Sequence, residues 1–142
     1  RLERPTPRVA LRLALRGIAS SAMDVSDGLL GDFGHILKAS GVGACIRTDE
    51  TIKLIAAGAF PSSATGQFDQ KLLQQCTLAG GDDYELLFTA PPQHQAAVAE
   101  AAAQSETPVT RIGQVEAAPG LRLLDAQGMP VENRFASFDH FA

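Results

Sequence analysis

The stretch SAMDVSDGLLGDFGHILKASGVGA, residues 21–44, constrains the fold of this chain more than any other. A short segment around Ala22–Val25 has the look of a strand, and at Gly28 the apolar period changes. From there Leu29, Leu30, Phe33, Ile36 and Leu37 recur at helical spacing, which predicts an amphipathic helix with one face to bury. Lys38 suits the negative end of the helix dipole and Gly41 its left-handed cap. A second strand is expected over Ala44–Thr48. Strand, turn, helix and strand in close succession require a sheet with a helix packed on it.

The turn between the first two elements carries two carboxylates and a hydroxyl within four residues: Asp24, Ser26 and Asp27. Two readings compete. Ser and Asp are favoured N-caps, so one of the three is expected to cap the helix that follows. Alternatively, the oxygens face a ligand. A helix N-terminus attracts anions, but carboxylates at the same point repel a phosphate unless a cation lies between them. Magnesium, which takes hard oxygen ligands and shares them with substrate phosphates, is the natural choice, and Ser26 can donate a hydrogen bond to a phosphate oxygen.

The rest of the chain interleaves helices and strands. ERPTPRVALRLALRGIAS predicts a helix with Thr6 as N-cap and Pro7 at the first position, burying Leu11, Leu15 and Ile18, although the alternation of Leu11, Leu13 and Leu15 also fits a strand. Helical turns are expected in DETIKLIAAGA, a loop in FPSSATGQ, and a helix in FDQKLLQQCTLAGG ended by Gly80 and Gly81. DYELLFTAP predicts a strand closed by Pro91 and Pro92, QHQAAVAEAAAQ a helix, and VTRIGQVEA and GLRLLDAQGMPVE further strands with a turn at Gln127-Gly128. The sum is an α+β fold, a mixed β-sheet flanked by helices, in one domain over residues 1–142.

AGGDDYELLF is a second candidate site. Its glycines let the backbone approach a ligand, and Asp82 and Asp83 stand at a strand entrance; a helix cap followed by a solvated acidic turn accounts for the same residues. In the tail SFDHFA, Phe138 and Phe141 can stack on a flat ring or simply dock the terminus on the core. His35, His94 and His140 have no nucleophile placed beside them and receive no role.

Composition closes off several classes. A formal net charge of −4 argues against nucleic acid and anionic lipid as partners, the arginines at 1, 4, 8, 12 and 16 aside. Two distant cysteines, Cys45 and Cys76, indicate neither a zinc site nor a disulfide framework and fit a reducing cytoplasm. No apolar run reaches membrane-spanning length. The P-loop, dinucleotide-binding, protein-kinase and nucleophile-elbow motifs are all missing. The chain opens on Arg1 rather than Met, as expected of a piece of something longer.

In this order, RPTPR, AMDVSDGLLGDFGHILKASGVGA, GGDDYELLFT, RIGQV and the terminal FDHF resemble the C-terminal half of the bacterial thiamine-monophosphate kinase family. Each motif is modest; five in series with compatible gaps are specific. The resemblance implies an aminoimidazole ribonucleotide synthetase C-terminal-domain-like fold in a two-domain enzyme whose N-terminal ATP- and magnesium-binding half is absent from this chain. It implies magnesium-dependent transfer of the ATP γ-phosphoryl group to thiamine monophosphate, giving thiamine diphosphate, in a cytoplasmic enzyme that forms a homodimer when full length. By motif position, Asp24 and Asp27 are expected to bind magnesium, Ser26 to contact ATP, and Asp82 and Phe138 to contact the thiamine substrate. Asp82 replaces the family's usual Glu, and Ser137-Phe138 its common Gly-Tyr. Lacking the other half, the fragment is expected to be inactive by itself. Two alternatives stay open: another ATP-dependent enzyme of the superfamily, such as one like selenophosphate synthetase, or a non-catalytic binding module.

Overall fold

The computed structural model describes residues 7–56, 70–80 and 85–133. In chain order these form α1 (Val9–Ala14), β1 (Ser21–Asp24), α2 (Leu29–Ser40), β2 (Gly43–Arg47), α3 (Thr48–Ala56) and α4 (Gln70–Ala79). Then come β3 (Leu86–Thr89), a 3-10 turn (Pro92–His94), α5 (Gln95–Gln104), β4 (Gly113–Glu116), β5 (Gly120–Leu124) and β6 (Pro130–Val131). Among the described residues no helix is long and apolar enough to cross a membrane.

The mixed α+β architecture is as the patterning predicts, but the strands divide into two sheets rather than one. β1 and β3 form an antiparallel ribbon, and β4-β2-β5-β6 form a mixed sheet in which only the β2–β5 pair is parallel. β4 and β5 flank β2 on opposite sides, so residues 117–119 cross over its first residue, Gly43. A Cβ at Gly43 would lie 2.0 Å from the Ala118 carbonyl oxygen, a distance no side chain tolerates. The crossing therefore requires glycine.

Two cores result. Leu29, Leu30, Phe33 and Leu37 of α2 are buried together with Val25, Ala44, Ile46, Leu78, Leu87 and Leu123, which joins both sheets and α4 around one helix. On the other side of the ribbon, Leu11, Leu15 and Ala101 pack with Leu86 and Phe88, so α1 and α5 cover that face. The ribbon's period of two divides its side chains: Leu87 goes to one core, Leu86 and Phe88 to the other. Truncating a buried leucine such as Leu30 to Ala would cost about 2–5 kcal/mol.

α1 begins at Val9 with Arg8 as N-cap, two residues later than the Thr6-Pro7 pattern predicts, and Thr6 itself lies outside the described residues. Its apolar face is as expected, with Leu11 and Leu15 buried and Ile18 packed against them. The Gly41 cap is also as expected, left-handed at φ 66°. His94 has its Nδ1 2.9 Å from the Ile18 carbonyl oxygen and so ties the 3-10 turn to the segment between α1 and β1.

Candidate functional site

β1 ends at Asp24, α2 begins at Leu29, and the four residues between make the turn. Gly28 is the N-cap of α2, with φ 111° and ψ 146°, and no side chain supplies a capping hydrogen bond. The expectation that Asp24, Ser26 or Asp27 caps the helix is therefore overturned. Glycine is needed here for two reasons. Its backbone lies in a region that L side chains rarely adopt, and an added Cβ would press within 3.1 Å of the Ala79 carbonyl oxygen.

The turn before the helix is held instead by a residue that the sequence patterning does not single out. Asp32, in the first turn of α2 and only 3% exposed, accepts hydrogen bonds on Oδ2 from the backbone N–H groups of Ser26 at 2.7 Å and Asp27 at 3.1 Å. Its own N–H donates to the Gly28 carbonyl at 3.0 Å, so helix and turn form one closed unit. A carboxylate near a helix N-terminus also sits favourably in the dipole. Its sequence signal is a lone acid among Leu29, Leu30, Phe33 and Leu37, where a solvated face is not available. The capping-box rule looks one residue earlier, at Gly31, and so passes over it.

The backbone N–H groups of Ser26 and Asp27 are thus turned to Asp32. Asp24 and Ser26 are exposed and Asp27 is half-buried. Neither the Asp24 carboxylate nor the Ser26 hydroxyl has a hydrogen-bond partner among the described residues. The structure thus brings all three expected oxygen donors to one turn, at the positive end of a 12-residue helix. Their chemistry fits magnesium: they are hard oxygens, two of them carboxylates. Two carboxylates do not make a complete protein site. Among the described residues no group of three His, Cys, Asp or Glu side chains is placed to hold a metal ion.

The second motif of the sequence converges on the same turn through its flanks. Asp82 and Asp83 lie outside the described residues, as does Phe138. On one side of residues 81–84, Ala79 abuts Gly28. On the other, the Glu85 carbonyl accepts from Val25 N–H at 2.9 Å, one step beyond the Asp24–Leu86 pair of the ribbon. Arg8 grips the Glu85 carboxylate with two hydrogen bonds of 2.9 Å. That bidentate pair links positions 77 residues apart, which local patterning does not reveal.

Comparison with known proteins gives a consistent picture. Residues 1–126 match the family described as AIR synthase related protein, C-terminal domain. The chain is 43% identical over 140 residues to thiamine-monophosphate kinase of Salmonella typhimurium, covering 98% of this chain and 41% of that protein. It is 39% identical over 140 residues to the Escherichia coli K12 enzyme, again with 98% and 41% covered. The chain thus spans about 41% of the length of these curated relatives. Among solved structures, thiamine-monophosphate kinase from Stenotrophomonas maltophilia superposes with a TM-score of 0.72 at 39% identity, covering 84% of this chain and 36% of that one. A structure described as AaThiL complexed with AMPPCP and TMP superposes at 0.64 with 26% identity, covering 97% and 39%.

Proposed function

We propose, from the premise that this chain belongs to the AIR synthase related C-terminal domain family, that it is the second half of a magnesium-dependent thiamine-monophosphate kinase. The missing length relative to the kinases it resembles is read as an N-terminal half that supplies the remaining metal and nucleotide ligands. The whole enzyme is read as a cytoplasmic homodimer. Residues 1–142 form one domain in this reading and turn over no substrate alone.

Phosphoryl transfer asks the protein mainly for positioning and for neutralisation of charge. When bound, magnesium would supply the positive charge that offsets repulsion between the two substrates' phosphates. In this chain Asp24 and Asp27 would hold that ion. The Ser26 hydroxyl donates to a phosphate oxygen of ATP, and the first turn of α2 offers its unpaired N–H groups and dipole to the same anionic ligand. Asp82 contacts thiamine monophosphate with a carboxylate one methylene shorter than the usual Glu. Phe138 presents a ring face to the thiamine. The acceptor is the substrate's own phosphate, so no nucleophilic side chain is required.

One observation carries this reading. The Asp24 carboxylate and the Ser26 hydroxyl stand exposed, with Asp27 half-buried beside them, at a turn whose Ser26 and Asp27 N–H groups are already satisfied by Asp32, in a chain related along nearly its whole length to thiamine-monophosphate kinases. The experiment is an assay of the intact protein with ATP and thiamine monophosphate, following thiamine diphosphate by conversion to its fluorescent thiochrome. Product that forms with magnesium and disappears with chelator is expected. Its absence, alongside turnover of a different phosphate or selenide acceptor, would transfer the chain to another activity of the superfamily. Asp82→Glu should retain activity, and Phe138→Ala should raise KM for thiamine monophosphate more than KM for ATP.

A further inference from the structure

Asp32 is the only buried acidic residue among those described, and the mechanism above does not use it. Two successive backbone N–H groups pointing at one spot make an anion-binding concavity. At this turn, the Ser26 and Asp27 N–H groups converge on a single oxygen, Oδ2 of Asp32, at 2.7 and 3.1 Å. The carboxylate is anchored from behind. Its residue begins the hydrogen-bond ladder of α2 by donating to Gly28, and its neighbours Leu30 and Phe33 are each 6% exposed in the main core.

We infer that Asp32 is the positioning residue of the site: its carboxylate occupies the place an anion would take on the Ser26 and Asp27 N–H groups. Nucleotide phosphate is then engaged through the side chains of the turn and the cation they hold, not through those two amides. The inference rests on the functional reading above. A phosphate seated on these amides would have to expel a buried carboxylate or lie against it, anion to anion. With the concavity filled, the backbone of residues 26–27 has one conformation before any ligand arrives. Asp24, Ser26 and Asp27 are presented without an ordering cost at binding. The same turn without Asp32 would leave two N–H groups free to capture phosphate directly, and the carboxylates beside them would oppose it.

The test uses the intact protein, unsubstituted and as Asp32→Asn and Asp32→Ala. Manganese affinity is read from the free-ion paramagnetic signal in the presence of a non-hydrolysable ATP analogue, with circular dichroism confirming the fold. Asn keeps one oxygen able to accept both hydrogen bonds, so Asp32→Asn should bind manganese within about threefold of the unsubstituted protein, whereas Asp32→Ala should lose about tenfold or more. Equal affinity in a folded Asp32→Ala would overturn the inference. Should Asp32→Ala not fold, a folded Asp32→Asn as weak as Asp24→Asn overturns it equally, since charge and not geometry would then govern. Amide resonances supply the second readout. Those of Ser26 and Asp27 should stay fixed on adding inorganic phosphate without metal, and a shift there refutes the filled concavity. If the unsubstituted protein binds no manganese with the analogue, the functional reading fails. The response of the two amides to phosphate still decides whether Asp32 fills their concavity.

Discussion

Two strand-to-helix junctions in this molecule use the same kinds of residue to opposite ends. At the β2–α3 junction the helix starts directly after the strand, and its polar side chains are consumed internally. Arg47 meets Asp49 through two hydrogen bonds of 3.0 Å. The Thr51 hydroxyl donates to the Thr48 carbonyl at 2.8 Å, and that of Thr48 to the Leu124 carbonyl at 3.2 Å. Thr48 and Thr51 are 1% and 0% exposed. At the β1–α2 junction a four-residue turn intervenes, a buried carboxylate satisfies its backbone, and Asp24 and Ser26 are left at the surface. Residue type alone does not mark a site. What distinguishes the second junction is that Asp32 satisfies its backbone, while the Asp24 carboxylate and the Ser26 hydroxyl make no hydrogen bond among the described residues.

The contrast is sharpened most by substitutions that separate ligand binding from stability. Asp24→Asn or Asp27→Asn in the intact protein should lower turnover by about a hundredfold or more, because even partners beyond the ligands of a metal are worth roughly 10- to 100-fold. The thermal midpoint should hardly move. Near-normal magnesium-dependent rates would erase the difference between the junctions. Gly28→Ala should affect both properties: its backbone conformation and its approach to Ala79 predict a loss of about 1–3 kcal/mol in denaturant unfolding, with weakened metal binding as the turn shifts.

At the other junction the effects should be on stability alone. Thr51→Val removes one buried hydrogen bond and should cost about 1 kcal/mol while leaving kinetic constants unchanged. Smallest is the pH effect of Asp49. The Arg47 hydrogen bond holds its carboxyl below the usual carboxylate range, so the pair's contribution is fully present above the ordinary Asp pKa and is lost as pH falls through the depressed folded value. Asp49→Asn should therefore slightly flatten the acid limb of a stability-against-pH curve. No change in that limb would show that the pair contributes nothing in solution, as exposed pairs often do.

Much of this was legible in the sequence, and the failures have physical causes. The α2 face could be read because burial against a sheet imposes a 3.6-residue period on Leu29, Leu30, Phe33 and Leu37. The three oxygen donors could be read because their types and spacing are local. Division of the strands into two sheets could not, since β1 finds its partner β3 more than 60 residues on, through register rather than local pattern. Nor could Gly43 be recognised as the place where residues 117–119 cross, a contact known only once β4 and β5 lie on either side of β2. Asp32 escaped because capping rules look at the cap and its third successor. Here the acceptor sits one residue further along and reaches back past the cap.

The most direct measurement is an anomalous-difference map from crystals of the intact protein grown with manganese and a non-hydrolysable ATP analogue. A metal peak bonded to the Asp24 and Asp27 carboxylates, at about the 2.1 Å expected of a small hard cation, and to phosphate oxygens of the nucleotide is the predicted result. A fully occupied metal-nucleotide site bonded to neither carboxylate, with phosphate on the Ser26 and Asp27 amides instead, would contradict it.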